Sequence, residues 1–202
     1  MLKPKAKFNV YNALATIGTV KMLGMEMDNM QEMIAGLSNV DGRMQEVPNN
    51  LGANIIVDYS HTPDSLANAL SAVSEFTDGR IITIVGCGGD RDKEKRAIMG
   101  KVAGEMSGFA ILTSDNPRNE NPFDVLSQIE SGIKQTGKKY AIIENRKDAI
   151  FAGVKMLKAK DSLVIAGKGS EDYQIIGAVK TYFSDYETAL EALNEIDNIS
   201  NN

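Results

Sequence analysis

The 202 residues carry 22 Lys and Arg against 27 Asp and Glu, a formal net charge of −5, with the two signs interleaved; this argues against a dedicated nucleic-acid binder. Hydrophobic residues make up 43%, enough to build a real core in one domain, or in one domain plus a fragment of another. A single cysteine, Cys87, excludes an internal disulfide, no apolar run approaches membrane-spanning length, and the first residues lack a cationic-then-apolar leader, so a cytoplasmic chain without membrane insertion is expected.

The chain opens with two apolar-periodic stretches, Val10 to Leu23 and Met27 to Leu37, separated by Gly24, which read as a helix pair. Such a pair buries little by itself, so it is expected to lean on the following domain or to be the remnant of a larger one. The junction is expected at Pro48-Asn49-Asn50-Leu51-Gly52, dividing residues 1–47 from 48–202. From Asn54 onward, strand-length apolar runs alternate with helix-length segments. Ile55 to Val57 precedes Leu66 to Phe76, Ile81 to Val85 precedes Lys93 to Met106, and Phe109 to Leu112 precedes Pro122 to Ile133. Tyr140 to Ile143 then precedes Lys147 to Leu157, and Ser162 to Ala166 leads through a glycine-rich loop to a helix near Tyr186 to Leu193. This alternation predicts an α/β fold, a mostly parallel sheet with helices on both faces. Asp64, Asp92 and Asn121 or Pro122 are the expected cap or first-turn residues. The polar end from Asn198 is expected to fray.

Four polar segments each follow an apolar run: Asp58 to Asp64, Gly86 to Arg96, Ser114 to Pro122 and Gly167 to Gln174. With parallel strands all four lie along one edge, where open α/β sheets bind their ligands. Loops are polar simply because they are solvated, but four charged loops in phase with the strands favour a site built from several strand ends. In TSDNPR, Asn116 offers amide donors and an acceptor, Arg118 a planar fork matched to a carboxylate, and Pro117 restricts the backbone that presents them. Such a loop suits a small zwitterion.

Gly86 to Arg91 begins like a dinucleotide fingerprint, yet Arg91 stands where the last glycine belongs and Asp90 would face a pyrophosphate, which disfavours a nicotinamide-dependent oxidoreductase. Two readings of these glycines stay open: close backbone approach to an anion, with Arg91 binding a carboxylate or phosphate, or merely a tight turn. Gly167-Lys168-Gly169-Ser170 is no Walker motif, because no glycine stands five residues before Gly167. With His61 the only histidine and Cys87 the only cysteine, a zinc site or a Cys/His nucleophilic pair is not expected.

Taken together, these segments resemble the Mur ligases, at the branch that adds the third residue of the peptidoglycan stem peptide. The resemblance runs in order through Phe8-Asn9-Val10-Tyr11-Asn12, Gly42-Arg43, DYSHTPD, GCGGDRDKEKR and TSDNPR, then Asn145-Arg146 to Ala149-Ile150, GKGSEDYQ and Phe183-Ser184-Asp185. It covers nearly the whole chain. It implies that residues 1–47 are the helical tail of the central ATPase domain and 48–202 a Rossmann-like, amino-acid-binding C-terminal domain. One antiparallel strand, which periodicity does not show, is also implied. The implied reaction is an ATP-dependent amide ligation serving cell-wall biogenesis, and with it cell shape and division. A carboxylate of the UDP-muramoyl dipeptide is phosphorylated to an acyl phosphate, which the amine of an incoming diamino acid attacks.

On the matched positions, Arg91, Asp115, Asn116, Pro117, Arg118, Gly167 and Glu171 fall in the amino-acid pocket, and the DNPR loop resembles ligases that use meso-diaminopimelate rather than lysine. Diaminopimelate differs from lysine by a distal carboxylate, suited to Arg118 with Asn116, while Glu171 suits the distal ammonium and Arg91 the other carboxylate. Asn12, Arg43 and Asp58 match family residues around the adenosine of ATP, with His61 in the same strand-end loop. The family's phosphate loop, magnesium ligands, modified lysine and UDP-sugar-binding domain have no counterpart in these residues. The resemblance therefore implies no catalytic residue here, ATP and Mg2+ as cofactors of the full-length enzyme, and an isolated chain inactive alone. Lys7, where glycine is common, and Ser170, where GKGHE is usual, depart from the pattern. The other reading is a stand-alone module that binds diaminopimelate or a nucleotide without catalysis.

Overall fold

The computed structural model describes residues 7–25, 28, 32 and 40–200. The chain divides into two compact units, Met1–Val40 and Asp41–Asn202. In the first, α1 (Lys7–Met22) realises the first expected helix and closes at Gly24, whose φ of +71° lets the chain turn while its N–H donates to the Lys21 carbonyl. The second expected helix, Met27 to Leu37, lies mostly outside the described residues.

The second unit begins with β1 (Gln45–Glu46) and β2 (Asn54–Asp58), followed by α2 (Pro63–Ser74), β3 (Ile81–Val85), α3 (Glu94–Met106) and β4 (Phe109–Leu112). Next come α4 (Pro122–Ile133), a 3-10 turn (Lys134–Thr136), β5 (Tyr140–Ile142), α5 (Arg146–Lys155) and β6 (Ser162–Ala166). A hairpin of β7 (Tyr173–Ile176) and β8 (Val179–Tyr182) precedes α6 (Asp185–Ser200). The main sheet has the order β1-β2-β6-β3-β4-β5. From β2 to β5 every pairing is parallel, with Val57 and Ile84 both in register with Ile165, and Ile84 with Ile111. At the edge, Gln45 and Glu46 pair antiparallel with Val57 and Ile56. That pairing, with Met44 and Val47 buried, brings these residues into the second unit, so the compact division falls ahead of the junction expected at residues 47 and 48.

Both faces of the sheet are covered, which is why its strands read as unbroken apolar runs. Because the pleat alternates side chains, Ile55, Val57, Ile82, Ile84, Leu163 and Ile165 meet Ala149, Ile150 and Val154 of α5 and Ala189, Ala192 and Leu193 of α6. Ile56, Val85, Ala110, Leu112 and Val164 are buried on the other face, as are Leu66 and Leu70 of α2, Met99 of α3 and Ile129 of α4. Each buried Ile, Leu, Val or Met side chain among them contributes about 1.5 to 3 kcal/mol by leaving water. Helices α3 and α4 touch backbone to backbone: a Cβ on Gly132 would lie 1.7 Å from the Ala97 carbonyl oxygen, and one on Gly100 1.9 Å from that of Ile129.

The strand-end loops finish at capped helices. Thr62 accepts from the Ser65 N–H and its own N–H donates to the Ser65 hydroxyl, a capping box one position ahead of Pro63, with the expected Asp64 in the first turn. Asn121 accepts from the Phe123 N–H at the start of α4, and Asp92 from the Glu94 N–H before α3. The hairpin corrects the reading of Gly167 to Gln174 as loop throughout: β8 is exposed at all four positions, so no alternation marks it, and Gly177 at φ +58° makes the tight turn. No helix among the described residues is long and apolar enough to cross a membrane.

Candidate functional site

The carboxyl ends of the parallel strands open on one edge of the sheet, and their loops enclose a cleft of about 420 Å³. His61, Arg91, Asp115, Asn116, Arg118, Gly167 and Glu171 line it, together with Tyr59, Gly88, Asp92, Lys95 and Tyr173, which sequence reasoning did not assign to a site. Pro117 acts from behind the wall. The Gly89 N–H donates to the Asn116 carbonyl at 2.9 Å, and a Cβ on Gly89 would fall 1.8 Å from the Pro117 carbonyl oxygen. The close approach that Gly89 permits is therefore to the neighbouring loop, which locks the ends of β3 and β4 together.

Arg118 sits at φ +52°, a left-handed conformation for a residue with a Cβ, held from both sides by the hairpin. Its N–H donates to the Ile175 carbonyl at 3.0 Å, and its carbonyl accepts from the Gly177 N–H at 2.7 Å. The Gln174 side chain donates to the Asp115 carbonyl at 2.8 Å. The hairpin thus splints the DNPR loop. One guanidinium nitrogen of Arg118 donates to the Gly89 carbonyl at 2.9 Å, which fixes the head of the side chain at the cleft wall.

Asn116, expected to read a ligand carboxylate, lines the cleft and also bonds within the protein: its Nδ2 donates to Glu171 Oε2 at 3.0 Å, and its Oδ1 accepts from the Ile175 N–H at 3.0 Å and Lys168 Nζ at 3.2 Å. One of its amide N–H groups thereby positions Glu171. Gly167 at φ +121° and Gly169 at +53° kink the chain on either side of Lys168, whose side chain is fully buried. The sequence cue for this inward lysine was its place between two glycines at the end of a five-residue apolar strand.

The His61 ring stands edge-on to Tyr59 at 4.7 Å, and the Arg43 guanidinium, which is not among the lining residues, lies 4.7 Å from the centre of the Tyr59 ring. Lys95 Nζ donates to the His61 carbonyl at 2.8 Å. Asp58 does not project into the cleft. Its buried carboxylate accepts from the Met44 N–H at 2.8 Å, the Ser60 N–H at 2.9 Å and the Ser60 hydroxyl, tying the loop after β2 to the segment that carries Arg43. That segment also abuts the Glu171 loop, since a Cβ on Gly42 would lie 2.0 Å from the Ser170 nitrogen. Asn12 belongs to the first unit, on α1, with its Nδ2 3.4 Å from Asn9 Oδ1.

Two buried arginines brace the cleft from below. Arg146 forks onto Asp185 with both contacts at 2.7 Å, and also donates to the Ala166 carbonyl at 3.0 Å and the Ser114 carbonyl at 3.4 Å, linking the ends of β6 and β4. Burial disfavours its charge, but Asp185, with the charges of Asp115 and Glu171, outweighs that effect and the guanidinium is held above its ordinary value. Arg96 forks onto Glu120 at 2.9 Å and donates to the Gly88 carbonyl at 3.1 Å, while Glu120 accepts from the Asp90 N–H at 2.7 Å. These bonds, Arg96 first and the Asp90 N–H second, pull the Glu120 carboxyl from 4.5 to about 2. A depressed carboxylate stabilises the fold above its unfolded value and loses that contribution as pH falls through its folded one. Denaturant titrations between pH 7 and pH 2 should therefore show the parent losing stability below about pH 4.5 by more than Glu120→Gln does. Equal acid sensitivity of the two proteins would contradict this. Burial pushes the Cys87 thiol up to about 12, so it is no nucleophile at neutral pH.

Residues 42–169 match the family described as Mur ligase, glutamate ligase domain. The chain is 48% identical over 187 residues to UDP-N-acetylmuramoyl-L-alanyl-D-glutamate--2,6-diaminopimelate ligase 2 of Clostridium acetobutylicum, covering 93% of this chain and 39% of that protein. It is 44% identical over 192 residues to the 2,6-diaminopimelate ligase of the same description from Clostridium botulinum, covering 94% and 39%. A solved structure of a UDP-N-acetylmuramoyl-L-alanyl-D-glutamate--2,6-diaminopimelate ligase superimposes with a TM-score of 0.77 at 33% identity, over 96% of this chain and 40% of that one. The chain thus spans about two fifths of the length of these relatives.

Proposed function

The chain belongs to the Mur ligase family, and within it we propose that these residues form the amino-acid-binding C-terminal part of an ATP-dependent ligase that joins meso-diaminopimelate to UDP-N-acetylmuramoyl-L-alanyl-D-glutamate. The observation that carries this reading is the convergence of Arg91, Arg118 and Glu171 on one cleft. Two guanidinium groups and one carboxylate complement a diamino diacid. Arg118 takes the distal carboxylate, Arg91 the other carboxylate and Glu171 the distal ammonium, each charge-assisted bond contributing roughly 1.5 to 3 kcal/mol. Asp115, Asn116, Pro117 and Gly167 act by placing these three. The second amine of the ligand, after losing a proton, attacks the acyl phosphate; the new C–N bond forms as the C–O bond to phosphate breaks. Lysine, which lacks the distal carboxylate, leaves Arg118 without its partner.

Arg43, Tyr59 and His61 support one wall of the ATP site, with Asp58 holding that wall through backbone bonds. Among the described residues no group of three or more His, Cys, Asp or Glu is arranged to hold a metal ion, so no step is assigned to Mg2+ here. The 202 residues contain no GxxxxGK[ST] phosphate loop, so activation of the muramoyl dipeptide carboxylate falls to groups they do not supply. Calorimetric titration of the chain should show tighter binding of meso-diaminopimelate than of lysine, and mixing it with ATP, Mg2+, diaminopimelate and the UDP-muramoyl dipeptide should give no ligation. Equal affinity for the two amino acids would overturn the selectivity, and turnover by these residues alone would overturn the division of labour.

A further inference from the structure

Lys168 lies at the floor of the cleft, outside the set of residues that the diaminopimelate reading assigns to the ligand. Resting on that reading, we propose that Lys168 is a positioning and specificity-determining residue. Its buried ammonium holds Asn116 and, with it, the ligand-receiving Glu171 in place, and balances the negative charge beneath the pocket.

An ammonium taken wholly out of water persists only where its surroundings replace the lost hydration. Around Lys168 Nζ that replacement is specific: Asn116 Oδ1 at 3.2 Å, Glu171 Oε2 at 3.3 Å, Asp115 Oδ1 at 3.7 Å and the Tyr173 ring at 5.3 Å. Two carboxylates from different strand-end loops therefore share one internal cation. Of the other charged groups nearby, Arg146 hydrogen-bonds Asp185 and acts on Asp115 and Glu171 only through its charge, Arg118 is anchored at Gly89, and Lys180 lies 3.8 Å from the centre of the Tyr173 ring.

Two consequences follow for the ligand. Glu171 Oε2 is engaged by both Asn116 Nδ2 and Lys168 Nζ, whereas Oε1 has no hydrogen bond among the described residues, so Oε1 is the atom that meets the ligand's ammonium. The carboxylate is shared between an internal ammonium and an external one. The second consequence is electrostatic. Diaminopimelate carries no net charge at neutral pH, whereas lysine carries one positive charge. Removing Lys168 leaves Asp115 and Glu171 without their shared cation, which makes the pocket more negative and favours lysine relative to diaminopimelate.

The test is calorimetry of the chain with meso-diaminopimelate and with lysine, for the parent, Lys168→Met and Lys168→Gln. The methionine variant should bind diaminopimelate about tenfold more weakly or worse, with a reduced diaminopimelate-to-lysine affinity ratio. Glutamine keeps a donor for Asn116 without the charge, so it should recover part of the affinity but not the ratio. An equal loss for both ligands, with the ratio unchanged, would reduce Lys168 to a structural part and overturn the proposal. A denaturation cycle of Lys168→Met, Glu171→Gln and the double variant gives a readout that needs no ligand. The double variant should be more stable than Lys168→Met alone, because the neutral amide that replaces the Glu171 carboxylate no longer requires a counter-ion; additive losses would refute the shared-charge arrangement. A parent that binds neither amino acid overturns the diaminopimelate reading, and the cycle still decides whether Lys168 and Glu171 are coupled.

Discussion

Replacing Arg118 with alanine is expected to weaken meso-diaminopimelate binding by roughly ten- to a hundredfold while changing lysine binding little. The guanidinium is the group proposed to read the distal carboxylate, the one feature separating the two amino acids, and its head is already anchored by the Gly89 carbonyl. Its orientation is thus settled before the ligand arrives, and a pre-organised fork loses little entropy on binding. Alanine at φ +52° bears the same left-handed strain as arginine, and the backbone bonds to Ile175 and Gly177 survive the change. The melting temperature of Arg118→Ala should therefore stay close to that of the parent, which separates a binding defect from a folding one. Arg118→Lys should recover only part of the affinity, since a point charge cannot reproduce the planar two-donor contact. Calorimetry with both amino acids checks each statement, and a parallel loss of lysine binding would place Arg118 elsewhere in the site.

The largest stability effect is expected at Arg146 and Asp185. Both side chains are fully buried, and removing one partner strands a charge away from water, a loss of about 3 to 5 kcal/mol. Domains of this kind hold roughly 5 to 15 kcal/mol in total, so Arg146→Met or Asp185→Asn leaves a marginal fold in urea titration at pH 7. Arg146→Met also strips the donors from the Ser114 and Ala166 carbonyls, so loosening spreads to both the DNPR and Glu171 loops. Replacing both partners with apolar residues should cost less than either single change, because no unpaired charge remains. The pairs Lys147 with Glu191 and Lys155 with Glu195 join the same two helices, α5 and α6, across solvent. Breaking either should cost under about 1 kcal/mol. If Arg146→Met proves as mild as these, the buried bridge is not what holds the strand ends together.

The strands were legible because β3 and β6 are buried on both faces and leave continuous apolar runs, Ile81 to Val85 and Ser162 to Ala166, that need no partner to be recognised. The ligand edge was legible for a related reason: in a parallel sheet, every loop after a strand reaches the same side. Arg91, Arg118 and Glu171, named from the sequence, line the cleft. The bonds that Asn116, Asp58 and Lys168 make were not legible, since they run to groups distant in sequence or to backbone atoms, which residue type does not encode. The hairpin escaped notice because exposed β8 carries no periodic signal, yet its backbone groups hold Arg118 in place.

By itself, the sequence determined the element types, the α/β alternation and the charged residues delivered to the strand ends, because these depend on side-chain pattern within a few residues. Only the tertiary structure decided which of those residues line the cleft and which bonds they make within the protein. Asn116 and Glu171 bond one another only because β4 and β6 end at the same edge, with β3 between them. Lys168 becomes an internal counter-ion only because two glycines of unusual backbone conformation turn it inward. Local pattern sets what the chain can offer, but a buried charge requires partners on every side, and those are assembled by the packed sheet.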